Sequence, residues 1–497
     1  MTSDVKPVGQ DRESWPHLGR IFTGAPDAKI ALHLAFFFCI LFAIGLRLFQ
    51  LGTQNFWYDE AETIGYATRL FPIRDIHPPT YYAVVHLAMN LGGSEFWVRL
   101  PSFVMGVASM VVVYAIGRLL VSNPVTLIAL LLTSLSPILV WHAQDARMYS
   151  QLLLGCLLTI YFYVQILRRG NTLDWVGYVA AALFAAYTQL YATLLIVTLS
   201  GHLLLFHRRL FLRWMVVQWA VLLGYLPWLI FLVTMPPEQI GGTPNRTLLA
   251  FPYTYFAFTN GYSLGPSILE LRDFGAETLL LYLPLLLPIC LTVVLLTVAG
   301  VRRLWRANRD AASLIVLWAV VPVLVAVAVP FVVRSMTYNV RYVLFSVPAY
   351  LFILAAGVVS LKRYRIGVAL LLVVILFNGI SLYNYFYVAH YAKEDVRSAA
   401  AYVAANAKPD DPIVVVTVER LFRWYFKADN VIVSNHDILA DAVRNTQTVW
   451  LVESRPWQSD PKRIVRQSLD SQYPVVIQMT FPGVEVIQYC IHGCPPV

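Results

Sequence analysis

Asp59, Glu60 and Glu62 fall within one short stretch, NFWYDEAETIGYA, directly after the first long apolar run of the chain. A carboxylate within reach of a hydroxyl can take its proton as a new bond to that oxygen forms. Two adjacent carboxylates raise one another's pKa, which suits such a base. Other ionisable residues recur in comparable places. Arg69, Arg74, Asp75, His77, Glu95 and Arg99 follow in the same segment, Asp145 and Arg147 stand in WHAQDARMY, and Glu270, Arg272 and Asp273 in TNGYSLGPSILELRD. RSMTYNVRY adds Arg334 and Arg341. Arginine pairs with phosphate through a planar fork that holds two oxygens.

Taken singly, each of these residues also reads as an ordinary loop charge. Glu95 and Arg99, four apart, suit a helix-end ion pair. Arg74 and Asp75 suit solvated positions, Glu62 a solvated or helix-end charge, and His77 before two prolines a turn. Asn245 begins an Asn-Arg-Thr sequon, a pattern frequent by chance.

The elements that position these residues are membrane spans. The chain of 497 residues is 58% hydrophobic and only 13% charged, with a mean hydropathy of +0.63. Soluble domains carry roughly 25% charge, so lipid must solvate most of this chain. Apolar runs at 31–51, 100–121, 124–142, 148–167, 173–190, 191–206, 214–235, 278–300, 311–333, 343–361 and 366–387 predict about eleven transmembrane helices. The run 173–206 predicts a pair broken near Gln189–Tyr191. About thirty mostly polar residues precede the first run, and no small-residue cleavage site follows it, so it reads as a retained anchor after a cytoplasmic tail, 1–30.

The net charge of +9 is spread in short clusters between apolar runs, which signals topology and not a nucleic-acid surface. Arg168–Arg169, His207-Arg208-Arg209, RRLWRANR from Arg302 and KRYR from Lys362 all fall on the cytoplasmic side if the N-terminus is inside. The segments 52–99, 143–147, 236–277 and 334–342 then face outward, so the acids and arginines converge on one face. Ionisable residues at that depth are functional by default. Within 52–99, PPTYYAVVHLAMNLGG is too short to span and predicts a helix at the outer interface. The aromatic content of 236–277 argues against disorder.

After the transmembrane region, 31–390, the pattern changes. PIVVVTV, VIVS, TVWLVES and PVVIQMTF predict strands, with EDVRSAAAYVAANA and HDILADAVRN as helices between or before them. Residues 391–497 thus predict a small extracytoplasmic α/β domain, parallel or mixed. It has no Gly-rich phosphate loop. Cys39, Cys156 and Cys290 lie in apolar runs as small buried hydrophobes, whereas Cys490 and Cys494 are placed for a short-loop disulfide in the outward tail.

WYDEAETI, HPPTYY, SEFWVRLPSFVMGVASMVVVYAIGRLL and SPILVWHAQDARMYS, in that order, resemble the GT-C membrane glycosyltransferases. The likeness is to the bacterial family 39-type proteins, related to protein O-mannosyltransferases and the lipid A aminoarabinose transferase. GYSLGPSILELR and NVRYVLFSVPAYLFILAAG extend it to later segments. The resemblance implies a GT-C fold, a place in the bacterial cytoplasmic membrane, and inverting transfer of a sugar from a polyprenyl phosphate to an acceptor hydroxyl at the outer face. The family's first-loop acid maps onto Asp59, with Glu60 beside it. Asp145 stands where many relatives carry Glu, as a supporting acid or a metal contact.

On this reading Asp59 and Glu60 are the catalytic acids. A departing phosphate needs cationic partners and no general acid. Arg147 and Arg341 fit that role, with Tyr149, His77 and Tyr342 as secondary contacts. Protein, lipid and glycan hydroxyls are all compatible acceptors. No organic cofactor is implied, and the carboxylates could hold a divalent ion. A transporter or flippase is the alternative reading, but no internal repeat is evident and the charges sit at span ends on one side. A non-catalytic scaffold would not require acids and arginines on four outward segments.

The orientation is directly testable. A reporter that functions only outside the cytoplasm, fused after Val497, should be active. Activity of a cytoplasmic reporter at the same position would invert the topology and the side on which the charged segments meet.

Overall fold

The computed structural model describes residues 26–69, 75–235, 246–267, 270, 275–333, 336–361, 365–426, 431–433 and 446–493. Arg74, Asn245, Arg272, Asp273, Arg334, the Lys362 cluster up to Tyr364, HDILADAVRN through Asn445 and Cys494 lie outside these residues. Cys490 is disulfide-bonded.

Among the described residues, eight helices are long and apolar enough to cross a membrane, or nine if one bent pair forms a single span. The order begins α1 (Pro26–Leu48), α2 (Tyr58–Arg69), α3 (Thr80–Met89), α4 (Glu95–Leu120), α5 (Asn123–Leu135), α6 (Pro137–Ala143) and α7 (Tyr149–Arg168). It continues with α8 (Thr172–Ala186), α9 (Ala192–Phe206), α10 (Phe211–Thr234) and α11 (Ala250–Asn260), followed by long helices over Leu283–Ala307, Arg309–Val332, Val347–Ser360 and Ile366–Tyr387. The bent pair is α5–α6, which turn by 56° where Pro137 keeps Ser136 out of the helical region. The expected break in 173–206 is present, between α8 and α9. Each has only 15 residues, a length of about 22 Å at the α-helical rise. They account for the difference between the expected eleven apolar runs and the helices of full spanning length.

Small residues set the closest helix packing. A Cβ on Gly300 would lie 1.9 Å from the Ile353 carbonyl oxygen, and one on Gly357 2.1 Å from that of Leu296. The helices Leu283–Ala307 and Val347–Ser360 therefore meet backbone to backbone, as small-residue interfaces in lipid allow.

The predicted short helix after the two prolines is α3, with Pro79 at its N-cap. It buries Tyr81, Tyr82, Val85 and Ala88. The Tyr81 hydroxyl shares a 2.7 Å hydrogen bond with Ser102 of α4, and the Thr80 hydroxyl donates to the Tyr187 carbonyl at 2.6 Å. Asp75 is not solvated: it accepts a hydrogen bond from the Tyr82 hydroxyl.

The C-terminal residues form a five-stranded sheet, β1 (Ile413–Val416), β2 (Val431–Val433), β3 (Thr448–Glu453), β4 (Val475–Phe481) and β5 (Val484–Cys490), in the order β2-β1-β3-β5-β4. β1 runs parallel to β2 and β3, and β5 antiparallel to β3 and β4, so the sheet is mixed. β5 is absent from the sequence-based assignment. Its polar Glu485 and Gln488 dilute the apolar signal, but Pro482-Gly483 between Phe481 and Val484, with Gly483 at φ 67°, is a two-residue hairpin turn that marks it.

What fixes the segment between α1 and α4 is a buried ion pair, and it is not the expected one between Glu95 and Arg99. Arg99 turns inward to Glu60 of α2, with Nε donating to Oε1 at 2.7 Å and Nη2 to Oε2 at 2.8 Å. Its other N–H groups donate to the carbonyls of Leu51 (3.1 Å), Gln54 (2.8 Å) and Asn55 (2.9 Å). Both side chains are essentially sealed, 1% and 0% exposed. Burying an arginine demands partners for all its donors, and the loop 51–55 and Glu60 supply them where Glu95, one helical turn away, cannot. Glu95 instead pairs with Arg397 at 2.5 Å and accepts from the Tyr425 hydroxyl at 2.8 Å.

Removing one member of the inward pair strands a buried charge, at a cost of about 3–5 kcal/mol. Arg99→Met should lower the thermal midpoint of the detergent-solubilised protein sharply. Arg397→Met, which breaks a partly exposed pair, should cost about 1 kcal/mol or less. Equal midpoints for the two variants would remove the Glu60–Arg99 pair from its structural role.

Candidate active site

α2 opens with its acids in the first turn, where the helix dipole favours them. Consecutive residues of a helix point about 100° apart, so Asp59 and Glu60 diverge. Glu60 faces inward, and the Trp57 N–H closes its turn on Oε2 at 3.3 Å. Asp59 faces a partly open side, 14% exposed, and pairs with Arg341, which is 19% exposed, at 2.5 Å.

Arg341 is delivered by a 3₁₀ turn, Val340–Ser346, whose N-cap Asn339 accepts from the Arg341 N–H at 3.3 Å. Its guanidinium lies 5.2 Å from the Tyr149 ring centroid, 5.9 Å from Trp57 and 6.0 Å from Tyr342, within cation–π range of all three. Arg147 comes from the turn between α6 and α7, which Ser102 steadies by donating to the Arg147 carbonyl at 3.1 Å. It donates through Nη1 to the Asp59 carbonyl at 3.0 Å and to the Thr63 hydroxyl at 3.2 Å. The Nε atoms of Arg147 and Arg341 and the Tyr149 hydroxyl are buried without a hydrogen-bond partner. Three unsatisfied donors of this kind around one carboxylate are rare in a finished core.

The electrostatics separate the acids. Burial alone pushes the Asp59 carboxyl up, but Arg341 and then Arg147 override it and hold it below its ordinary value. The expected mutual raising of Asp59 and Glu60 is therefore not what governs Asp59; diverging directions and two arginines decide. Glu62 is half-buried and not simply solvated. Burial pushes its carboxyl up, Arg147 opposes this, and the nearby Asp59 and Asp75 add to it. His77 is driven down to about 4, mainly by burial, with Arg147 and Arg341 adding to the effect, so it is a neutral imidazole at this site.

Asp145 lies behind the Arg341–Asp59 pair and is fully buried. Its Oδ1 accepts from the Trp57 indole N–H at 2.7 Å, and His142 Nδ1 stands 3.7 Å from Oδ2. Burial pushes its carboxyl up, but Lys393 and the His142 contact reverse this and keep it well below the usual carboxylate range. Glu60 Oε1 accepts also from the Ala146 N–H at 2.8 Å, so Glu60 and Asp145 share one buried layer, apart from the more open Asp59. Glu270 belongs to a different cluster, pairing with His390 at 2.9 Å. Among the described residues, no three of His, Cys, Asp and Glu gather to hold a metal ion. Glu60, Asp145 and Asp59 are each matched to a cation of the chain itself, so these residues do not fit a divalent ion.

Lys393 and Arg455 are not legible as site residues in the sequence, and Trp57 is legible there only as an interface residue flanking the acids. Trp57 orients Asp145 and stacks near Arg341. Arg455 covers the outer side of α2, its guanidinium 5.4 Å from the rings of both Trp57 and Tyr58, and pairs with Glu394 at 2.5 Å. Lys393 and Arg455 come from beyond the last membrane helix, and only the folded chain brings them back to residue 57. An indole two residues before an acid, just past the first apolar run, is both an interface anchor and a donor.

Residues 76–235 match the family model of dolichyl-phosphate-mannose-protein mannosyltransferases. No curated protein sequence matches significantly. Among solved structures, ArnT from Cupriavidus metallidurans in the apo state is similar over 93% of this chain and 98% of its own, with a TM-score of 0.60 and 13% identity. The oligosaccharyltransferase of Archaeoglobus fulgidus in complex with Zn and sulfate is similar over 92% and 73%, with a TM-score of 0.51 and 11% identity. The archaeal oligosaccharyltransferase AglB of the same organism, in complex with an inhibitory peptide and a dolichol-phosphate, gives 0.53 and 11% over 93% and 74%. The likeness read from the motifs thus extends along the chain, which has the GT-C fold of membrane glycosyltransferases.

Proposed function

We propose that the protein is an inverting glycosyltransferase that moves a sugar from a polyprenyl-phosphate donor to an acceptor hydroxyl at the outer face of the membrane. The observation that carries this reading is the partly open Asp59–Arg341 pair with unsatisfied donors of Arg147, Arg341 and Tyr149 around it. A base and an anion cradle are thereby side by side. The lipid-phosphate donor is supported by the two neighbours whose structures hold undecaprenyl phosphate and dolichol-phosphate, and the outer face by the distribution of basic clusters.

The geometry suggests how the pair works. In the free enzyme Arg341 neutralises Asp59. A donor phosphate beside Arg147 and Tyr149 competes for the Arg341 fork and releases a carboxylate oxygen. The acceptor oxygen then attacks the anomeric carbon as the carbon–oxygen bond to phosphate breaks. Its proton passes to Asp59, and the electron pair of the broken bond stays on the phosphate, facing the arginines. Glu60 holds the α2 turn and Asp145 holds Trp57; Tyr342 walls the arginine, and neutral His77 offers a hydrogen bond without competing charge.

Transfer of labelled sugar by the purified protein from polyprenyl-phosphate mannose, arabinose and amino-sugar donors tests the reaction, with mass spectrometry of envelope glycans and glycolipids from cells with and without the protein to identify the product. Asp59→Asn should fold and lose about 10²–10⁴ in rate. Near-full turnover would move the base away from Asp59, with Glu62, a partly open acid three residues along α2, as the first candidate. Arg341→Lys keeps the charge but loses the fork, and should lose about tenfold or more, for a charge-assisted contact of roughly 1.5–3 kcal/mol.

The pH profile carries a further expectation. The working form of Asp59 is the carboxylate, so activity is present above its pKa and lost as pH falls through it. Because the arginines hold that pKa below its ordinary 3.8, kcat/KM, which reports the free enzyme, should be flat on its acid side through pH values near 5. An acid limb near pH 6 would assign the base to another group.

A further inference from the structure

The Lys393 ammonium is a cation of this region that the proposed reaction leaves unused and that, unlike Arg99, has no hydrogen-bonded partner. Its side chain is 3% exposed, and Nζ lies 3.6 Å from Glu60 Oε2 and 3.7 Å from Asp145 Oδ1. It makes no hydrogen bond. The rings of Trp57 and Trp141 stand 5.6 Å and 5.5 Å away. A buried ammonium without a hydrogen bond is costly unless fixed charge holds it there. Two carboxylates facing it supply that charge.

The charges in this layer also close. Arg99 and Lys393 balance Glu60 and Asp145. The remaining close neighbour, His142, reaches only Asp145. A divalent ion placed between the same carboxylates would leave two uncompensated positive charges in a sealed layer, so ion and ammonium exclude one another. A small, non-directional cation bridging two carboxylates is the electrostatic role a divalent metal plays in such a layer. Lysine, a compact point charge on a flexible stem, can do the same.

We propose that Lys393 is a built-in replacement for a divalent ion: it bridges Glu60 and Asp145, keeps Trp57 and the α2 turn in place beside Asp59, and makes the transfer independent of added metal. It acts as a positioning residue, because it touches the buried acids and not the open side of Asp59. The metal independence of transfer rests on the glycosyltransferase reading; the occupancy of the site by lysine does not.

The test uses the full-length protein in detergent and follows Mn²⁺ binding by the loss of the free-ion EPR signal, thermal unfolding, and sugar transfer with and without EDTA. The wild type should bind no Mn²⁺ at this site and transfer equally well in EDTA. Lys393→Ala should either bind Mn²⁺ or unfold at a clearly lower temperature, and without metal should transfer about tenfold or more slowly. Lys393→Arg should unfold close to the wild type. Mn²⁺ bound by the wild type and released in Asp145→Asn would overturn the proposal, as would wild-type transfer that EDTA stops. So would a Lys393→Ala protein that binds no Mn²⁺ and unfolds like the wild type. If Lys393→Ala cannot be purified, the wild-type, Asp145→Asn and Lys393→Arg measurements decide. If no donor supports transfer by the wild type, the glycosyltransferase reading fails, and Mn²⁺ binding and unfolding still judge the role of Lys393.

Discussion

The buried pair of Glu60 and Arg99 is the constraint on which the candidate site depends. An arginine that is 1% exposed at the head of a membrane helix cannot be left with free donors. Its fork takes Glu60 on one side and gathers the carbonyls of residues 51, 54 and 55 on the other. The chain leaving α1 is thereby bent back over α4, and α2 must begin where Glu60 can reach Arg99. The position of Asp59 follows, because a residue adjacent in a helix must point elsewhere. One sealed ion pair thus aims a second carboxylate toward the more open side.

The C-terminal residues then lock that arrangement from outside. Glu95, freed from Arg99, meets Arg397 and Tyr425, and the Tyr425 hydroxyl accepts from the Phe56 N–H at 2.9 Å. Asn55 donates to the Glu394 carbonyl. A Cβ on Gly65 of α2 would lie 3.0 Å from Cδ of Arg420, so the helix Glu419–Tyr425 sits directly on α2. These contacts come from Glu394 and Arg397, just after Lys393, and from the helix Glu419–Tyr425 of the sheet domain. The domain is a clamp on the segment that follows α1, which explains why a loop as polar as 52–62 holds a single shape.

Much of this was legible. Apolar run length gave the helices, down to the break at 187–191, because each run must be as long as the lipid it crosses. The acids and arginines beside the apolar runs were legible as a group, since charge is expensive at that depth. Their pairing was not. Spacing by four suggested Glu95 with Arg99, yet which of two carboxylates an arginine chooses depends on burial and on carbonyls from elsewhere in the chain. The same limit hid Lys393. One lysine between an alanine and a glutamate has no pattern, and its partners are more than two hundred residues away. β5 was missed for a different reason: Glu485 and Gln488 interrupt its hydrophobic signal, and only the Pro-Gly turn announces it.

The two kinds of ion pair differ in what they can do. Glu60 with Arg99 is closed on every side, so nothing that binds can compete for either member, and its energy goes into shape. Asp59 with Arg341 is partly open and incomplete, with Arg341 Nε and the Tyr149 hydroxyl unsatisfied. An anion offering several acceptor oxygens satisfies those donors better than one carboxylate can, so the arginine has reason to leave Asp59 when such an anion arrives. The exchange needs no movement of α2, because Glu60 holds that helix independently of Asp59. On the proposed reaction, placing the fixed acid and the exchangeable acid at adjacent positions of one helix gives a base that its own arginine silences until an anionic group is in place. A site built with Asp59 buried beside Glu60 would have had the proton affinity but no means of being switched.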